Sequence, residues 1–75
     1  MKKYKVWLEK VEYTVIETTA CTVFDSEFEA LNYLLDSYNA VGTMGYVGDA
    51  ASEKVYFTLE RTSYGWDFTA GRGLI

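Results

Sequence analysis

The chain has 75 residues, a net charge of −4, and neither histidine nor proline. Its length allows one domain, residues 1–75, near the lower limit for folding without staples, and 49% hydrophobic with 24% charged residues excludes a disordered chain. The lone Cys21 excludes an internal disulfide framework and a thiolate zinc cage from one chain, and the missing histidine removes the commonest general base and transition-metal ligand.

Residues 3–10 alternate, with Tyr4, Val6 and Leu8 on one side and Lys5, Trp7 and Glu9 on the other, which predicts a strand. A second β-rich run extends from Tyr13 to Phe24. The link at Lys10–Glu12 has no Gly, Asn or Asp, so two strands and one bent strand are both open over residues 3–24. Asp25-Ser26-Glu27-Phe28-Glu29 then holds a capping box, with Ser26 as N-cap and Glu29 three residues on. Phe28, Leu31, Leu34, Leu35, Tyr38 and Val41 recur at helical spacing up to Gly42, a C-cap residue, and predict the buried stripe of an amphipathic helix.

Gly42 to Ser52, with glycines at 42, 45 and 48, reads as a loop. Glu53–Arg61 alternates again, Val55, Phe57 and Leu59 against Tyr56, Thr58 and Glu60. Ser63-Tyr64-Gly65 supplies turn chemistry, and Trp66, Phe68 and Ala70 alternate with Asp67 and Thr69. The tail Gly71–Ile75 reads as a frayed end. The predicted fold is α+β, a two-layer ββαββ sandwich in which one amphipathic helix packs on one face of a four-stranded antiparallel sheet. The other face is left open, carrying Lys3, Lys5, Trp7, Tyr56, Thr58 and Glu60.

Charge is unevenly distributed. Residues 1–10 carry +3, residues 11–53 carry −8 without a single cation, and residues 54–75 carry +1. The central acids cannot be neutralised by local helix pairs. They face water, pair with the chain ends, or meet a basic partner. The exposed helix face offers Glu29, Tyr33 and Asp36, an aromatic ring between carboxylates suited to a surface rich in Arg and Lys. Tyr46, Asp49 and Glu53, on and beside the glycine loop, form a second candidate surface.

Catalytic signals are weak. The G-x-x-G-x-x-G spacing lacks the cation and the strand-to-helix setting of a phosphate loop. Glu29 and Asp36 stand about 10 Å apart along the helix axis, on its exposed side. Asp25, Glu27 and Glu29 are not spaced as a calcium loop, so neither a metal nor another cofactor is expected. Cys21, in a Thr-rich strand, reads as a small buried side chain. No enzyme activity is expected.

No apolar run approaches ~18 residues and no basic-then-apolar leader precedes a cleavage site, so the expected location is cytoplasmic, without a membrane partner. Direct nucleic-acid binding needs cations and is disfavoured in a net acidic chain. In size, charge and simplicity the chain resembles the small acidic, often phage-encoded inhibitors of bacterial nucleases and CRISPR effectors. Such surfaces occupy the basic grooves that recruit DNA. Tyr4-Lys5-Val6-Trp7-Leu8-Glu9, Cys21-Thr22 and Ser26-x-x-Glu29-Ala30-Leu31 are also similar to the start of HicB-type antitoxins, where a strand leads through a Cys-x-Thr-like segment to a helix. That similarity spans Tyr4 to Tyr38, and the Gly-Tyr hairpin and Pro-Asp-Leu-Pro-Gly stretch of those proteins have no match here.

The expected function is a non-catalytic binding protein of the anti-defence, anti-CRISPR-like kind, which inhibits or regulates a macromolecular partner through that partner's basic surface. The alternative uses the open sheet face with Lys5, Trp7 and Tyr56, either for a homodimer or for single-stranded nucleic acid. Monomer and homodimer are both open.

Overall fold

Alternation of apolar and polar side chains carries β1 from Tyr4 to Glu12. The chain returns antiparallel along one edge of β1 in two short pieces, β2 (Val15–Thr18) and β3 (Thr22–Phe24). The return therefore occupies a single, interrupted strand position. After α1 (Glu27–Asp36) come β4 (Met44–Asp49), β5 (Val55–Thr62) and β6 (Gly65–Gly71), each antiparallel to its neighbour. The sheet order is β2-β1-β4-β5-β6, with β3 beside β1, so six segments fill five positions. The computed structural model describes residues 2–12, 15–18, 21–37 and 39–71, and only the backbone of 11, 12, 15–18, 70 and 71.

The protein is a small α+β domain with an antiparallel sheet. The expected four-strand layout lacks one strand, because the Gly42–Ser52 segment contains β4, at the centre of the sheet. Its glycines serve close approach. A Cβ at Gly45 would stand 2.7 Å from Leu34 Cδ1, 2.9 Å from Cδ2 and 3.2 Å from the Trp66 ring. On the opposite face, a Cβ at Gly48 would lie 2.5 Å from the Lys54 carbonyl and 3.2 Å from the Trp7 indole. Gly42 alone of the three has positive φ, +96°, in the turn that feeds β4.

Leu34 is fully buried, with Ala30, Val6, Val47 and Leu59, and forms the core. α1 packs over β1, β4 and β3. Because Ala30 and Leu34 define the inner face, the helix is turned relative to the expected stripe. Leu31 is half-buried, while Phe28, Leu35 and Val41 are 75%, 40% and 67% exposed. Tyr38, the remaining stripe residue, and the tail beyond Gly71 lie outside the described residues.

The helix starts as expected, Ser26 Oγ accepting from the Glu29 N–H at 3.1 Å. It ends at Asp36 and not at Gly42. The Ser37 N–H and hydroxyl both donate to the Leu34 carbonyl, at 3.1 and 2.6 Å, and Asn39 Nδ2 donates to Ser37 Oγ. Such polar side chains compete with the helical ladder, and Asp36 opposes the negative end of the helix dipole. Arg61 then holds the exit segment, its Nε donating to the buried Asn39 carbonyl at 3.1 Å. Its backbone pairs with Gly42 and Thr43.

Cys21 is exposed, contrary to the expected burial. Two irregularities reset the faces of β5 and β6. Val47 pairs with Phe57 but Gly48 with Val55, which makes Tyr56 an extra residue. Thr58 pairs with Ala70 but Leu59 with Phe68, which makes Thr69 another.

Gly45→Ala is expected to cost about 1–3 kcal/mol through overpacking against Leu34. Gly48→Ala should cost more, since its Cβ meets a backbone carbonyl that cannot rotate away. Urea titration of both variants checks the order.

Candidate functional site

The residues singled out by the sequence fall on three surfaces. On α1, Glu29 and Asp36 are exposed, and among the described residues neither forms an ion pair. Tyr33 is 49% exposed, yet its ring packs on Phe24 with centroids 5.0 Å apart. It also lines a cavity of about 150 Å³ shared with Val6, Thr22, Leu34 and Ser37. Tyr33 thus fastens the helix to β3. Phe28, 75% exposed, is the apolar side chain of the helix that projects furthest into solvent.

Asp49 ends β4, and Glu53 lies in the turn that follows it. Asp49 Oδ2 accepts from the Ser52 hydroxyl at 2.9 Å and Oδ1 from the Ala51 N–H at 3.3 Å. The Ser52 bond first, then the Ala51 amide, with Lys2 and Lys5 nearby, holds the Asp49 carboxyl below its ordinary value of 3.8. Glu53 is exposed at the same turn. Across that end of the sheet Lys3 pairs with Asp25, so part of the central negative charge is answered by the N-terminal cations.

Tyr46 is separated from its sequence neighbours Asp49 and Glu53 by the alternation of β4, and faces the side of the sheet that the helix leaves open. There it stacks on its cross-strand partner Trp7, centroids 5.2 Å apart and planes within 17°. Lys5 Nζ lies 5.1 Å from the indole centroid. Burial, and then a hydrogen bond to the Glu9 carboxylate, raises the Tyr46 phenol above its ordinary value. Lys5, Trp7, Tyr46 and Glu9 form one continuous column.

Tyr56 is not part of it. As the extra residue of the bulge it turns to the helix side, buried, with its ring 5.8 Å from Tyr4. Lys2 Nζ and Lys54 Nζ stand 5.0 and 5.6 Å from its centroid. The expected Trp7–Tyr56 platform is therefore replaced by Trp7–Tyr46.

Register adds a feature that the sequence reading did not assemble. Glu9 pairs with Met44, Met44 with Glu60, and Glu60 with Asp67, which sets three carboxylates in one row across four strands of the open face. Glu60 and Asp67, both exposed, stand directly opposite each other, a like-charge arrangement that destabilises a strand pair. Strand parity alone puts each of these acids on the polar side of its own strand. Joining them needs β4, whose glycines hide it.

Among the described residues no group of three or more His, Cys, Asp or Glu side chains could hold a metal ion. No helix among them is long and apolar enough to cross a membrane. No family model matches the chain, and neither a curated protein nor a solved structure does.

Asp49 allows a pH test with a defined sign. Its folded-state carboxyl lies below the ordinary value, so the stability it contributes is present above that value and is lost as pH falls through the lowered one. Asp49→Asn should melt below wild type at neutral pH, and the gap should close in acid below the folded-state value. Thermal melts across that range provide the check.

Proposed function

We propose that the protein is a non-catalytic binding protein that inhibits or regulates a macromolecular partner by covering a basic surface of it, as do inhibitors of nucleic-acid-binding proteins. The open sheet face is the contact surface, with Trp7 and Tyr46 as its aromatic centre and Glu9, Glu60 and Asp67 as its acidic row. The observation that carries this reading is the opposed pair Glu60 and Asp67. Two carboxylates facing each other on a sheet cost stability, and among the described residues no hydrogen bond or ion pair accounts for them. Arginine or lysine side chains from a partner relieve that repulsion on binding, and the same field speeds their approach.

The acidic row also disfavours nucleic acid on this face, since phosphates would meet carboxylates. A helix-face version of the same function rests on Phe28, 75% exposed beside Glu29. It places Glu29 and Asp36 against the partner, with Tyr33 supporting the helix.

Affinity capture from the native host with quantitative mass spectrometry tests both versions. Glu60→Lys converts a repulsive pair into an attractive one, so this variant should melt higher than wild type. It should also lose the basic protein that wild type recovers. The double variant Glu29→Lys, Asp36→Lys should keep that protein. Its thermal stability should stay close to wild type, because a lysine opposes the dipole at the helix start and favours it at the end. Loss of the partner in the double variant alone moves the contact to the helix. Retention by both variants overturns the proposal.

A further inference from the structure

The chain's own lysines lie against rings. Lys5 Nζ is 5.1 Å from the Trp7 centroid on the open face, and Lys2 and Lys54 are 5.0 and 5.6 Å from the Tyr56 centroid on the helix side. Among the described residues no lysine or arginine forms an ion pair with Glu9, Glu60 or Asp67. The acidic row is thus left to cations from outside the chain.

Register gives that row a particular construction. Met44 stands between Glu9 and Glu60, so two carboxylates flank a thioether, their backbones two strand spacings or about 10 Å apart. Two residues along β4, Tyr46 presents its ring on the same face. Glu9, Met44 and Tyr46 are half-buried, and Glu60 is exposed. The hydrogen bond between Glu9 and the Tyr46 phenol fixes that carboxylate beside the ring. An apolar floor therefore has an aromatic wall on one side and a carboxylate to the left and right.

This construction separates the two basic side chains. A lysine ammonium is a compact, strongly hydrated point charge, which gains from one carboxylate whatever lies beneath it. An arginine guanidinium is planar and weakly hydrated, stacks on rings, and carries five donors in a fork that serves two acceptors at once. Over Met44 its flat face meets the thioether and the Tyr46 ring, while its edges turn to Glu9 and Glu60. A carboxylate has about four acceptor positions, enough for Glu9 to hold the phenol and a guanidinium together.

We infer that Glu9, Met44, Tyr46 and Glu60 form an arginine-selective site, so that the partner presents arginine and not lysine at the centre of the contact. The inference rests on the role of the open face proposed above and adds the identity of the side chain that meets it.

Isothermal titration calorimetry with capped hexa-arginine and hexa-lysine peptides is the test. Hexa-arginine should bind about tenfold more tightly. Tyr46→Leu, with an unchanged far-UV circular dichroism spectrum, should bring that ratio close to one. Hexa-arginine asymmetrically dimethylated at every side chain keeps its charge but loses the fork, and should bind no better than hexa-lysine. This peptide decides the matter if the Tyr46 variant fails to fold. Equal affinity of wild type for hexa-arginine and hexa-lysine overturns the inference but leaves the basic-surface role standing, and binding of neither peptide overturns both. An arginine preference that survives in folded Tyr46→Leu, or a dimethylated peptide that binds as tightly as the unmodified one, also overturns the inference.

Discussion

The seating of Leu34 against Gly45 is the constraint on which the remaining structure depends. A Leu side chain can rest on a strand backbone only where that strand presents no Cβ, and Gly45 supplies that place with the Leu34 methyls inside the volume a Cβ would occupy. Burying such a side chain contributes about 1.5–3 kcal/mol, a large share of what a domain this small can hold. Once Leu34 is fixed, Ala30 one turn earlier must also face the sheet, and its small side chain lets the helix come close. Val6, Val47 and Leu59 then close around the contact from three adjacent strands. The orientation of the helix, the central place of β4 and the exposure of Phe28 follow from this one fit.

That fit also explains what could be read from the amino acids. The Ser26 N-cap is a local device, satisfied within one turn by the Glu29 amide, and it lies where its residues indicate. The alternation of Tyr4, Val6 and Leu8 against Lys5, Trp7 and Glu9 is local too. β4 was hidden because glycine reports flexibility in a sequence, while here Gly45 and Gly48 report close neighbours from distant segments. The helix stripe misled for the same reason. Phe28 and Leu35 carry more apolar surface than Ala30, but shape decided, because only a small residue and Leu34 match the sheet beneath. Tyr56 changed sides through a single extra residue, and a one-residue shift in a strand reverses its faces.

Charge acquires a different meaning in the folded chain. The cation-free stretch from residue 11 to 53 suggested a helix-centred acidic surface, and three of its acids have local duties. Asp25 pairs with Lys3, Asp49 staples a turn, and Glu29 lies in the first turn of the helix, whose amide caps on Ser26. The row on the open face, Glu9, Glu60 and Asp67, comes instead from the flanking segments that are net positive in sequence, and of the three Glu9 also holds the Tyr46 phenol. Lys2 and Lys54 of those segments stand at the other end of the sheet, over Tyr4 and Tyr56. Summing charge along the chain averages over two ends of a sheet whose electrostatic characters differ.

The number of aromatic residues follows from the same geometry. One helix cannot cover both sides of a five-position sheet, so the backbone beyond its reach needs another cover. The chain provides it with pairs of rings. Trp7 and Tyr46 shield the open face over Gly48, and Tyr4 with Tyr56 closes the end where β1 meets the β4–β5 turn. Phe24 with Tyr33 fastens the helix flank, and Phe57 with Phe68 covers the far margin. A ring covers more backbone than an aliphatic side chain and gives up few rotatable bonds, so a thin domain gains rigidity without a second layer. A cover made of side chains is also a surface. The rings that shield this sheet from water are the same rings that a partner would touch, which ties the stability of the fold to the stickiness of its faces.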